Sequence, residues 1–443
     1  MIINWILIAA YIVIVLLIGY FSSKRESSED FMIGKRKLGS FALAFTIAAT
    51  IIGGNALITY TSFIYQYGFA MLWGLVGFVF GMWILAKIGQ KLKKQGKKYY
   101  TLPGFFYDVY NKRTGLLVTA IIVFWFSLIL LIQYIAGGLI ISSLVNIPYW
   151  IAVLVMGLVV FIYSFLGGFK AVVKTDAFQY ILFAILAIFV GIFMVKGRVI
   201  EPTQLNIMNF GIGKTIAFII IGAATIFTGP DMWQRVYAAK NKKAIFRGIA
   251  LAVIGIIVAF IAIGMIGLSA RSAAPDINPE EALVYGVKNL LPPQFLGIVF
   301  VLLFAVIMST LDTLLFVLAT NFSEDIVVKN INPAVNKVKY TKLGMFIFAF
   351  LMMLIAVFVK DIITIALAFI SLGLVFAPAI IGTFFFKARL KNKAIQLSLV
   401  TGVISVLIVL FAGFIGPETS TISLPVSTVF LIAGQYIWKN SKD

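Results

Sequence analysis

The sequence predicts an all-α integral membrane protein, and three observations carry that reading. Apolar residues make up 62% of the 443 and charged ones only 12%, with a mean hydropathy of +1.07. A soluble domain is typically about half apolar and a quarter charged. The excess falls into long runs such as Ile2 to Tyr20, Leu116 to Leu144 and Met345 to Val359, each of the order of the ~20 residues that cross a hydrocarbon core. Lysine and arginine concentrate in alternate connecting segments. With about thirteen spans, the N-terminus outside and the C-terminus inside, 30 of the 36 basic residues fall on the inner side. That is the asymmetry of the positive-inside rule.

The same count disposes of nucleic acid as a partner. The net charge of +20 is explained by topology in a cytoplasmic (inner) membrane, with a lipid bilayer of anionic inner leaflet as its natural counterpart. Cysteine and histidine are both absent. Disulfides, iron–sulfur clusters and thiol chemistry are excluded, as is the commonest proton relay and metal ligand.

The first run (3–21) has no basic residue before it and Lys24-Arg25 after it. A cleavable leader carries its basic residues first, so this reads as an extra, retained N-terminal helix. Core helices follow near 41–66, 68–92, 115–145, 149–166 and 171–196, then 211–230, 246–268, 294–323, 338–359 and 361–386. Two more follow at 394–414 and 420–438. This is one transmembrane domain over 1–443: five helices in 41–196, five in 211–386, and a peripheral pair in 394–438. Glycine interrupts two of the ten core helices. The first carries Ile52-Gly53-Gly54-Asn55 and the sixth Thr225-Ile226-Phe227-Thr228-Gly229-Pro230. Broken helices survive at membrane depth only where they line a cavity. Breaks at corresponding places in two five-helix halves point to a 5+5 inverted repeat with its site at the midplane; close packing at small residues is the alternative for either break alone.

Charged side chains within spans are costly and default to functional hypotheses. The clearest is Asp312, in Val306-Ile307-Met308-Ser309-Thr310-Leu311-Asp312-Thr313. At helical spacing Val306, Ser309, Thr310 and Thr313 form a narrow stripe, with Asp312 beside Ser309 and Thr313. Hydroxyls, a carboxylate and carbonyls freed by a broken helix are hard oxygen ligands that suit a small cation. Hydroxyls bonding back to their own helix would explain Ser309 and Thr310, but not an aspartate at that depth. Asp176, in Gly167-Gly168-Phe169-Lys170-Ala171-Val172-Val173-Lys174-Thr175-Asp176-Ala177-Phe178-Gln179, reads by position alone as a helix cap or a partner of Lys174 at the inner interface.

The run Gly-Gly-x-x-Ala-Val-x-x-Thr-Asp-x-x-Gln at 167–179 resembles the signature of the sodium:solute symporter family. So do Met308-Ser309-Thr310-Leu311 followed by Ser323-Glu324-Asp325, and Gln234-Arg235 with Ala238-Ala239-Lys240. The resemblance runs from the first helix to the last. It implies an extra N-terminal helix before a leucine-transporter-like five-plus-five repeat, and a sodium ion between core helices 1 and 8. Matched residue by residue, its ligands are the carbonyls of Ala49, Ile52 and Val306 and the hydroxyls of Ser309 and Thr310. A second sodium, held in some members, maps to Asp176, Asp312 and Thr313. Position 312 departs from the family's usual small or hydroxyl residue. The aspartate there either strengthens a second cation site or takes a proton.

The solute is expected where broken helices 1 and 6 face each other, at Gly53, Gly54, Asn55, Thr228, Gly229 and Asp231, with Gln133 and Tyr134 from helix 3. Half-helix N-termini attract an anionic group, and Gln133 is a lone amide in an apolar run, where an interhelical hydrogen bond would serve it equally. Sugar transporters of the family place a Gln and a Glu where this chain has Ala56 and Leu75, so an amino acid or small carboxylate is favoured over a sugar. The expectation is sodium-coupled uptake by alternating access. A proton-coupled symporter using Asp312 and Asp176 is the alternative. A transporter-like sensor would need a soluble signalling domain, and none is expected after Lys439; a channel would lack substrate saturation. No phosphate-binding loop or nucleophile–base set points to an enzyme. The solute and the oligomeric state stay open.

Overall fold

The computed structural model describes residues 2–23, 27–96, 98–193, 200–208, 211–359, 361–386 and 390–440, with 2–5, 55, 144 and 186–193 described by backbone alone. Lys24, Arg25, Lys97, Lys196, Arg198, Lys360, Lys387, Arg389 and Lys442, all used in the charge count, lie outside the described residues or segments.

Among the described residues the chain forms helices and no strand beyond an isolated bridge between Leu38 and Ala239. In chain order the first part holds α1 (Ile2–Ser22), α2 (Ser28–Ile33), α3 (Ser40–Ile51), α4 (Gly54–Tyr67), α5 (Leu72–Gln95), α6 (Leu102–Val109), α7 (Lys112–Val145), α8 (Tyr149–Phe193) and α9 (Pro202–Leu205). The second holds α10 (Gly211–Thr228), α11 (Pro230–Ala238), α12 (Lys242–Ala273), α13 (Ala282–Leu290), α14 (Leu296–Asn321), α15 (Lys337–Phe358), α16 (Ile363–Leu374), α17 (Ala377–Phe385), α18 (Asn392–Phe411) and α19 (Ser423–Ile437). Among the described residues ten stretches are long and apolar enough to cross a membrane, so the chain is a multi-pass membrane protein.

The chain breaks at both places where glycine interrupts an apolar run. α3 ends at Ile51, Gly53 is extended (φ −103°, ψ 176°), and α4 starts afresh at Gly54. α10 ends at Thr228, Gly229 turns the chain, and Pro230 opens α11; proline needs no N–H in a first helical turn. The break around Gly229 is closed by Trp233, whose indole N–H donates to the Phe227 carbonyl at 2.8 Å. Leu38, just before α3, pairs with the end of α11 through Leu38 N–H to Ala238 (3.0 Å) and Lys240 N–H to Leu38 (2.8 Å). The two broken helices are thus tied together at one end.

Core helices 4 and 5, expected near 149–166 and 171–196, meet at a kink within α8, which is two helices joined end to end. Its bend is at Gly168 (φ 56°, ψ −152°), a conformation reserved for glycine. A Cβ there would also come within 2.6 Å of the Phe31 ring, so the second glycine of the 167–179 motif serves the docking of α2. The tenth core helix, expected as continuous over 361–386, divides into α16 and α17, with Pro378 in the first turn of the second piece. α14 is the hub. Nearly all of its residues are buried, including Ser309, Thr310, Asp312 and Thr313, because α1, α3, α7, α8 and α15 pack around it.

Candidate functional site

A helix break leaves carbonyls without the N–H four residues on. Ile52 N–H still reaches the Ala48 carbonyl, but past that point the ladder stops. Ser309 and Thr310 of α14 take over. Ser309 Oγ lies 2.9 Å from the Ala49 carbonyl and 2.7 Å from that of Val306. Thr310 Oγ1 donates to the Thr50 carbonyl at 2.9 Å. A serine hydroxyl has one proton to give, so around Ser309 three oxygens share one hydrogen. That surplus of lone pairs is the chemistry a small hard cation satisfies. Ala49, Ile52, Val306 and Ser309 border one narrow cleft, together with Gln179, Tyr180 and Phe183 of α8. Thr310 stands on the other side of the break, where a Cβ on Gly53 would come within 2.6 Å of its own Cβ. Among the described residues there is no cluster of three His, Cys, Asp or Glu suited to a metal.

Asp176, Asp312 and Thr313 are all buried but belong to two linked groups. Asp176 is paired with Arg235 (Oδ2 to Nη2, 3.3 Å) and not with Lys174, which is exposed. The guanidinium also donates to Thr46 Oγ1 at 3.0 Å, to Thr313 Oγ1 at 2.8 Å and to Thr50 Oγ1, while Thr46 donates to Asp176. Arg235, assigned by the charge count to the inner surface, is 1% exposed; the correction follows from Asp176, which neutralises it inside the bundle. Asp312 faces the other way, accepting from Tyr163 at 2.6 Å and Thr175 at 3.2 Å. Asp176 Oδ1 and Asp312 Oδ1 are buried without a hydrogen-bond partner.

Between the two breaks lies a cavity of about 260 Å³. Gly53, Gln133, Gly229 and Asp231 line it, as do Ala56 and Leu75. Its walls are otherwise mostly apolar, part aliphatic and part aromatic (Tyr60, Phe78, Trp125, Phe126, Phe260 and Phe369 among them), with the threonines Thr50, Thr59, Thr225 and Thr310. Gly54 sits just behind, its α-carbon facing Ile307 and the Gln133 side-chain oxygen. Thr228 is fully buried with its hydroxyl on the Ala224 carbonyl, outside the lining. Tyr134 is turned away against Gly157 of α8, since neighbours on a helix point about 100° apart and one register brings only Gln133 inward. The Asn55 side chain lies outside the described residues. Asp231 carries the only charge among the described lining residues; its carboxylate accepts the Met232 N–H at the head of α11.

The sequence reading gave no role to Gln179, Arg235, Thr46, Thr50 or Tyr163. Asp176 and Gln179 are three apart on a helix, which puts them on one face, and that spacing was the signal available for Gln179. The partners of Arg235 come from three separate helices, and nothing local in the sequence brings them together.

Two broken helices facing each other across a cavity, with a narrow cleft bordered by Ala49, Ile52, Val306 and Ser309 beside one break, fit a secondary transporter. The chain belongs to the sodium:solute symporter family, whose profile matches residues 31–402. Similar curated proteins include sodium/proline symporters of Staphylococcus aureus strains Newman and JH9, each 24% identical over 356 residues, spanning 73% of this chain and 68% of theirs. Among solved structures, a substrate-bound, outward-open sodium-coupled sialic acid symporter superposes with a TM-score of 0.84 at 16% identity, covering 98% of this chain and 97% of that one. The transporter MhsT in complex with L-phenylalanine superposes at 0.62 and 14% identity, covering 90% and 99%. The protein is a sodium-coupled symporter of a small solute, and not an enzyme.

Proposed function

We propose that the solute is a small amino acid with an apolar side chain, taken up with sodium bound in the cleft between α3 and α14. The observation that carries this is the cavity's polarity. Its only charged lining side chain among the described residues is the carboxylate of Asp231, which suits an ammonium and repels a free carboxylate. Trp125 Nε1 and Tyr60 Oη, both in the wall, are buried without a hydrogen-bond partner; with the N-terminal turn of α4 they offer donors to a carboxylate. Aromatic faces fit an apolar body and attract a cation. A sugar would find few partners for its hydroxyls on a wall that is mostly apolar, and unpaired hydroxyls are costly there. The curated relatives are named for proline and MhsT is in complex with L-phenylalanine, in keeping with this class, whereas the sialic acid symporter is named for a different solute.

The sodium ligands are the carbonyls of Ala49, Ile52 and Val306 and the Ser309 hydroxyl, with Thr310 fixing the break. A second cation near Asp176, Asp312 and Thr313 would have to share its surroundings with the Arg235 guanidinium. The membrane is the cytoplasmic one, with the N-terminus outside, on the charge asymmetry of the connecting segments.

Thermal-shift binding followed by proteoliposome uptake tests the reading. The ligands are matched sets built on the side chains of leucine, phenylalanine and proline: the amino acid, the corresponding amine and the corresponding carboxylate. The amino acids should raise Tm in sodium and less in potassium, because a ligand of the folded state stabilises it by mass action. The carboxylates should not. A carboxylate binding as well as its amino acid would overturn the solute class. Uptake unchanged on replacing sodium by potassium at fixed pH, but driven by a pH gradient, would favour protons at Asp312 and Asp176 instead.

A further inference from the structure

Gln179 is 1% exposed, in the middle of α8. Its side-chain amide has a donor end and an acceptor end. The Nε2 end donates to Tyr11 Oη of α1 at 2.7 Å. The Oε1 end is buried and has no hydrogen-bond partner. A buried amide oxygen left unpaired costs about 1–3 kcal/mol, so such a group calls for a ligand. Gln179 borders the cleft that Ala49, Ile52, Val306 and Ser309 also border.

We propose that Gln179 gives its side-chain oxygen to the sodium ion in this cleft, and that Tyr11 of the first helix holds it there. The inference rests on the sodium site proposed above. An amide oxygen is a hard, neutral donor of the same kind as a backbone carbonyl. It completes the set from the α8 side, opposite the carbonyls of α3 and α14. In the structure the N–H₂ end is engaged by Tyr11, which leaves Oε1 as the free end of an amide that borders the cleft. Tyr11 is itself held, stacked on Phe178 at 6.1 Å and edge-on to Phe304 at 5.6 Å between ring centroids. Phe304 is two residues before Val306 on α14, so the tyrosine spans α1, α8 and α14 beside the cleft. The extra N-terminal helix, which belongs to neither five-helix half, thereby acquires a part in ion binding. Tyr11 is a positioning residue; Gln179 is the ligand.

The experiment uses the full-length protein in proteoliposomes and detergent, with sodium chloride exchanged for potassium chloride at constant ionic strength. The readouts are the sodium-induced rise in Tm without solute and the half-saturating sodium concentration for uptake. Gln179→Leu should raise the half-saturating sodium by about tenfold or more, and Tyr11→Phe by a smaller factor, the behaviour of a ligand and its outer partner. Gln179→Glu keeps an oxygen in place and should restore sodium affinity. In all three, uptake at saturating sodium should keep its KM for solute. A merely structural role would lower Tm equally with and without sodium and would not be rescued by Glu. Half-saturation within twofold of the parent in Gln179→Leu would overturn the proposal. No sodium effect in the parent protein would instead overturn the sodium site itself.

Discussion

The Arg235–Asp176 pair yields a prediction whose magnitude follows from burial. Both side chains are essentially inaccessible, at 1% and 0% exposure, and each is the other's only opposite charge at contact distance among the described residues. Breaking a buried pair by removing one partner typically costs about 3–5 kcal/mol, since the survivor is left charged without water, whereas replacing both by neutral groups is often near neutral. Arg235→Met strands the Asp176 carboxylate with the Thr46 hydroxyl. Asp176→Asn strands a guanidinium among three threonine hydroxyls. Each single variant should therefore melt several degrees lower in detergent, followed by tryptophan fluorescence. The double variant should recover more than half of the loss, a coupling of about 2 kcal/mol or more by the double-mutant cycle. A double variant as unstable as the two losses added together would refute the pairing. The same cycle separates two roles for Asp176. If it serves only Arg235, the double variant keeps the parent's half-saturating sodium; if it also binds the ion, that value stays raised.

Ser309→Ala should raise half-saturating sodium by about an order of magnitude, as loss of a ligand oxygen does. Thr320→Ala, on the same helix with its hydroxyl on the Phe316 carbonyl at 2.8 Å, should leave it within twofold. Gly53→Ala forces a methyl into Thr310; overpacking of this kind costs about 1–3 kcal/mol, and both the sodium and the solute KM should rise while Tm falls little. Away from the site, burial would raise the Asp30 carboxyl, but the ammonium groups of Lys170 at 2.8 Å and Lys35 at 3.3 Å outweigh it and hold it below its ordinary value. A depressed carboxylate contributes stability above its unfolded pKa, so this contribution is present at neutral pH and lost as pH falls below about 4. Both lysines are over a third exposed, which limits the effect to about 1 kcal/mol or less. Asp30→Asn should flatten the acid limb of a Tm–pH profile accordingly.

What could be read from the sequence was whatever leaves a local mark. The apolar runs located the spans, and Gly53 and Gly229 marked the breaks, because a helix interruption at depth demands residues that tolerate it. The 361–386 segment shows the limit. Pro378 stood in the sequence as a helix-start signal, but an apolar run on both sides hid the division between α16 and α17. In the 149–196 segment the glycine pair did leave its mark: the chain leaves helical geometry at Gly168, between the two expected helices. Arg235 illustrates a different failure. A lone arginine near a cluster of basic residues at 240–247 reads as surface charge, and only the three-dimensional meeting with Asp176, Thr46, Thr50 and Thr313 removes it from the surface. Tyr134 and Gln133 could not be told apart by composition, since the choice depends on how α7 is rotated against α4.

With sodium in the proposed cleft and solute in the proposed cavity, coupling between the two would have a physical location. The break at Ile52–Gly53 has two faces. On one, Ala49 and Ile52 border the narrow cleft proposed for the ion; on the other, Gly53 lines the cavity proposed for the solute. Thr310 links the two from the cavity side, since it holds the Thr50 carbonyl, abuts Gly53 and lines the cavity, while its neighbour Ser309 borders the cleft. An ion that draws Ala49, Val306 and Ser309 together fixes the angle at which α4 leaves the break, and with it the N-terminal turn and the wall residues Ala56 and Tyr60. A solute resting on that wall fixes the same angle from the opposite side. Each ligand then lowers the ordering cost of the other, and linkage requires the two effects to be equal: the factor by which sodium tightens solute binding is the factor by which solute tightens sodium. A sodium site remote from the break would have no such lever. On the proposed sites, the shared glycine break, more than the identity of any single ligand oxygen, would make symport rather than two independent binding events the natural behaviour of this chain.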